Sequence, residues 1–96
     1  MVGLRTFRLA DGGCAIVVRG DLDGDAVETI ADEVRSCTGA PIVVDLRNAL
    51  LVDPRALDAL IASVQTTFVA ERPLRDALVA GGAPRVAPDL RAAFAV

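Results

Sequence analysis

Ninety-six residues suit one small domain and leave no room for a second. The chain is 53% hydrophobic with three Phe as its only aromatics, so Ala, Val and Leu must fill the core of a globular fold. Net charge is −3, every basic residue is Arg, and there is no Lys, His, Tyr or Trp, which excludes Ser-His-Asp and Cys-His nucleophiles, Schiff-base lysines and His-ligated metals.

The chain opens with "LRTFRLA" (4–10), whose apolar and polar residues alternate as in a half-buried strand, and "DGG" (11–13) follows as a hairpin turn. "CAIVVRG" (14–20) is β-branched and more continuously apolar, as a central strand should be. In "DLDGDAVETIADEVRSCTG" (21–39), Ala26 or Val27, Ile30, Ala31, Val34 and Cys37 recur at helical spacing, with Glu28, Asp32, Glu33 and Arg35 on the other face. Asp25 with Glu28 has the form of a capping box, and Gly39 fits a helix stop.

"PIVVDL" (41–46) reads as another buried strand. From residue 54 to about 71, Leu57, Leu60, Ile61, Val64 and Phe68 form the stripe of a second helix. "ALVAGG" (77–82) reads as a short fourth strand and "PDLRAAFAV" (88–96) as a short final helix. The expected order is β-β-α-β-α-β-α: an α/β domain with a mixed, mostly parallel four-stranded sheet and helices on right-handed crossovers.

The carboxyl ends of the parallel strands share one rim, where ligands and partners of open α/β sheets dock. That rim is expected to collect Asp21 and Asp23, then Asn48 and Asp53, then Gly81-Gly82. Cys14, at the start of a strand, and Cys37, at the end of the helix running back, both belong near the opposite edge. They read as small buried hydrophobes, with a redox pair as the functional alternative.

No uncharged run approaches the ~18–20 apolar residues that span a bilayer, and the first residues lack the apolar core of a signal peptide, so a cytoplasmic location without membrane insertion is expected. The Arg residues form no stripe, so direct nucleic-acid binding is not expected. Nothing in the inventory calls for a cofactor or a metal, and the oligomeric state is left open.

Two stretches at the rim, "VVRGDLD" (17–23) and "IVVDLRNALLVDPRAL" (42–57), resemble the STAS domain of anti-sigma-factor antagonists and sulphate transporters. In that family the first commonly reads Gly-Glu-Leu-Asp. The second reads as a hydrophobic strand, Asp-Leu, then Asp-Ser-Ser/Thr-Gly opening a helix. Bacterial antagonists of this kind bind an anti-sigma factor, often also a serine kinase, that inactivates them by phosphorylating the first Ser after the Asp. Here that position is Pro54, which has no hydroxyl; Arg55 and Ala56 follow, and only Asp53 keeps the motif's identity. The chain also stops near where the family's fourth helix and last strand would follow, so the resemblance implies either a short version of the fold or a trimmed chain.

The resemblance implies a non-enzymatic regulatory module that binds an anti-sigma factor through Asp21, Asp23, Asp53, Pro54, Arg55 and Asp58. The alternative it implies is an accessory subunit docking on the cytoplasmic ATPase of a membrane transporter. The exposed side of the second helix is expected to offer Arg55, Asp58, Gln65 and Glu71. Pro54 still fits a helix start, since Asp53 can cap the helix and the missing N–H is least costly at the first helical position. A receiver-like reading, with Asp53 as phosphoacceptor and Asp21 and Asp23 on Mg²⁺, is disfavoured because that chemistry calls for a Lys beside the phosphoryl group.

Overall fold

A computed structural model describes residues 2–10 and 12–95. Its elements are β1 (Val2–Arg8), β2 (Cys14–Leu22), α1 (Gly24–Ser36), β3 (Ile42–Leu51), α2 (Pro54–Ser63), β4 (Thr67–Val69), α3 (Leu74–Ala80), β5 (Arg85–Ala87) and α4 (Leu90–Phe94). The strands form one mixed sheet in the order β1-β2-β3-β4-β5, with β1 antiparallel to β2 and the other three neighbouring pairs parallel. The expected α/β class is observed, with five strands rather than four.

The extra strand and the altered element order come from two segments, the expected second half of α2 and the stretch from residue 74 to residue 87. α2 ends at Ser63, where Val64 turns extended (φ −130°, ψ 111°) while its N–H still donates to the Leu60 carbonyl at 3.0 Å. The β-branched Thr66 and Thr67 favour extension. The Thr66 hydroxyl donates to the Ile42 carbonyl, tying the new strand to β3. Phe68, expected on the helical stripe, is instead the buried centre of β4. Gln65 and Glu71 therefore do not lie on a helix face at all.

The apolar run expected as a strand at 77–82 is the second half of α3. Leu74, Ala77 and Leu78 fall at helical spacing on the core, which a four-residue apolar run could not reveal by itself. Gly81 caps this helix and Gly82 follows with φ +87°. Both precede β5, so they lie away from the rim formed by the strands' carboxyl ends, contrary to expectation.

Two glycine and cap assignments also change. The N-cap of α1 is Asp23, whose carboxylate accepts from the Ala26 N–H at 2.9 Å, so Asp25 sits inside the first turn and no capping box forms with Glu28. The helix stops at Ser36 with Cys37 as its extended C-cap, so Gly39 is not the stop. A Cβ on Gly39 would lie 1.4 Å from the Gly12 carbonyl oxygen, so glycine there lets the α1–β3 loop lie against the hairpin. In that hairpin Leu9 N–H donates to the Gly13 carbonyl at 2.7 Å and Gly12 takes φ +101°; Asp11, in the expected turn, lies outside the described residues.

The main core lies between one sheet face and the helices α1, α2 and α3, with Ile16, Val18, Leu22, Val44, Leu46 and Phe68 meeting Ile30, Leu60 and Leu78. On the opposite face a smaller cluster joins Val43, Val69 and Ala87 to Ala93 of α4. Among the described residues no helix is long and apolar enough to cross a membrane.

Candidate functional site

The carboxyl ends of β2 and β3 meet because Leu22 and Leu51 are in register and the Val52 N–H donates to the Leu22 carbonyl at 3.3 Å. Asp23 follows directly on one strand and Asp53 two residues after Leu51 on the other. Each carboxylate caps a helix, so two helix starts stand side by side at this rim.

At the second start Asp53 Oδ1 accepts from the Arg55 backbone N–H at 3.1 Å, and its two oxygens accept from the Arg55 guanidinium at 3.2 Å each. Pro54 stands at the first helical position, where its missing N–H costs no intrahelical bond. These hydrogen bonds from Arg55 hold the Asp53 carboxyl below the ordinary aspartate value and push the Arg55 guanidinium up. The Arg55 side chain is nonetheless 90% exposed, so its remaining donors face outward.

Asp21 lies on the exposed side of β2, in register with Leu50, while Leu22 is fully buried. The structure thus brings Asp21, Asp23, Asp53, Pro54 and Arg55 to one rim. Asp58 is one helical turn farther along α2, where it faces Gly81 of α3's cap: a Cβ there would stand 3.7 Å from Asp58 Oδ1.

Two features have no counterpart among the sequence expectations, one at the rim and one on β3. Leu50 and Val52 are 63% and 50% exposed on either side of Leu51. Beside them a cleft of about 390 Å³ is lined by Ala49, Leu50, Leu51, Pro73, Leu74 and Ala77. Its second wall is α3, a segment whose short apolar run fits a strand as well as a helix.

The other feature is Asp45, 1% exposed on β3. Its oxygens accept from the Arg47 side chain at 3.0 and 2.9 Å and from the Arg47 backbone N–H at 3.0 Å. Those hydrogen bonds push the Arg47 guanidinium up, and the nearby charges of Glu71 and Asp89 add to the pull. The signal was a charge inside the apolar run 41–46 with an Arg two residues on.

The cysteines lie at the far edge. Cys14 is 2% exposed at the start of β2, and half-buried Cys37 closes α1. Burial, and hydrogen bonding with Cys14, push the Cys37 thiol up.

Chemically, Asp23 and Asp53 are engaged as caps and Asp53 also as an ion-pair partner, and among the described residues no cysteine or serine lies at this rim. Among the described residues no group of three or more His, Cys, Asp or Glu is placed to hold a metal ion. No protein-family model matches this chain, and no curated protein matches it.

Proposed function

We propose that this protein is a STAS-like, non-enzymatic regulatory module that binds a protein partner through the rim around Asp53-Pro54-Arg55, in the manner of anti-sigma-factor antagonists. The observation that carries the reading is the composition of this rim: an outward Arg55 held by Asp53, a rigid Pro54, and exposed Leu50 and Val52 beside an apolar cleft. Arginine and exposed apolar side chains are what protein interfaces concentrate, and a loop already held by its own cap loses little freedom on binding. The resemblance of residues 17–23 and 42–57 to STAS sequences names the partner class, an anti-sigma factor of the serine-kinase type.

Without a hydroxyl at position 54, the module is constitutively competent or is controlled at another position. Pro54→Ser would return the acceptor at a helix start, where a phosphate meets the helix dipole favourably.

The test is affinity capture from the native cell with wild-type protein and Arg55→Glu. An anti-sigma factor retained by wild type and bound about ten- to a hundredfold more weakly by the variant is the expected result. Equal binding would remove the rim from the interface, and capture of a transporter ATPase in place of an anti-sigma factor would select the accessory-subunit alternative. With the captured kinase and ATP, Pro54→Ser should gain one phosphate and the wild type none. A phosphate on wild type at Ser63 or Thr66 would show the switch relocated.

A further inference from the structure

We propose that Cys14 and Cys37 form a reversible intrachain disulfide when the protein meets hydrogen peroxide.

The placement follows from three registers. The Thr6 hydroxyl of β1 donates to Glu33 of α1 at 2.7 Å, which pins the helix over the strand. β1 runs antiparallel to β2, and α1 runs back along β2 as its crossover, so α1 and β1 run the same way. One helical turn from Glu33 to Cys37, about 6 Å, matches two residues from Thr6 to Arg8, about 6.6 Å. Arg8 in turn is the cross-strand partner of Cys14.

Side-chain alternation agrees. Cys14 shares the strand face of Ile16 and Val18, which belong to the core under α1, and Cys37 packs against that same core. Burial first, and then the neighbouring Cys14, push the Cys37 thiol up, and Glu33 and Arg8 are the charged groups facing it. The Cys14 N–H donates to the Pro41 carbonyl at 3.0 Å, so the start of β2 is anchored to the end of the loop that Cys37 begins.

Exposure assigns the order of events. Half-buried Cys37 meets the oxidant and Cys14, 2% exposed, resolves it. The Cys37 thiolate attacks one peroxide oxygen, the O–O bond breaks, and a sulfenic acid forms as one water leaves. The Cys14 sulfur then attacks the sulfenic sulfur, the S–O bond breaks, and the S–S bond forms as a second water leaves. Two electrons pass from the thiols to one peroxide, and both thiol hydrogens end in water. The product ties the C-cap of α1 to the first residue of β2.

The test is treatment of the intact, reduced protein with hydrogen peroxide at mildly alkaline pH, where more of the raised Cys37 thiol is ionised, read by intact mass and free-thiol titration. The expected result is a monomer that loses about 2 Da and both thiols, and regains them with dithiothreitol. Trypsin should then yield residues 9–19 linked to residues 36–47. In Cys37→Ser, the remaining Cys14 should keep its thiol under the same treatment. Retention of both thiols in wild type, a link between two chains, or a gain of about 32 Da on Cys37 with Cys14 still free would each overturn the proposal. Oxidation of Cys14 in Cys37→Ser as fast as in wild type would overturn the order of attack.

Discussion

Asp45 and Asp53 are both gripped by an arginine two residues on, through the side chain and through the backbone N–H, yet their surroundings give the two pairs different work. The Asp45 side chain is 2% exposed and that of Arg47 only 32%, so removing the arginine strands a carboxylate away from water. Arg47→Ala is expected to cost about 2–4 kcal/mol in urea denaturation, and replacing Asp45 by Leu in the same chain should recover part of it. At Asp53 the partner is almost wholly solvated, so Arg55→Ala should leave the unfolding midpoint nearly unchanged. The carboxyl itself should still report the contact. Its folded pKa lies below the unfolded one, so its support for α2 is complete above the ordinary aspartate range and is lost as pH falls through the lowered value. NMR titration of the Asp53 side chain should show the depressed midpoint, and Arg55→Ala should return it toward the ordinary value. The capping Asp and the proline after it were legible in the sequence because a cap is local chemistry. Asp45 was not, because its burial depends on strands that come from elsewhere in the chain.

At the scale of elements, the strong periodicities were legible: β1 and β2 about the hairpin, α1, the start of α2, and the short last helix. The second half of α2 was not. Phe68 falls four residues after Val64, which suits a helical stripe, and also occupies an inward position on a strand flanked by Thr67 and Val69. The choice falls to the neighbours, since β4 pairs with β3 through Val43↔Thr67, Val44↔Phe68 and Asp45↔Val69, and with β5 on its other side. A three-residue strand has little propensity of its own, and Phe68, fully buried, holds it in place. Phe68→Ala is therefore expected to cost about 3–5 kcal/mol by denaturation and to release amide protection across β4 and β5 together. Loss of protection confined to residue 68 would contradict this account.

For the molecule as a whole, two layers of side chains cover the sheet unequally. Three helices bury one face, and on the other a five-residue helix, α4, packs against β3, β4 and β5. Ala93 is 1% exposed in that cluster with Val43 and Val69, and the nearby Arg85 guanidinium is engaged by the Ala92 and Ala93 carbonyls, so Ala93→Asp should place a charge in an apolar cluster and cost at least about 2 kcal/mol by thermal or urea unfolding. A variant as stable as wild type would mean that α4 is dispensable cover. The same architecture separates two potential sites: the rim of the proposed partner contact lies at the carboxyl ends of the strands, and the cysteine pair at the start of β2. Oxidation should therefore leave Arg55 and its cap in place.

By itself the sequence determined which residue types the chain lacks, the α/β class, and the Asp53-Pro54 start of α2. Missing residue types, apolar period and the pairing of a capping Asp with a first-turn proline are all expressed within a few neighbouring positions. The tertiary structure decided where α2 gives way to β4, that residues 74–80 form a helix, that Asp45 is buried, and that Cys14 is buried while Cys37 stays half-buried at the same edge. Short apolar segments fit either period, and strand pairing across long stretches of chain is what resolves them.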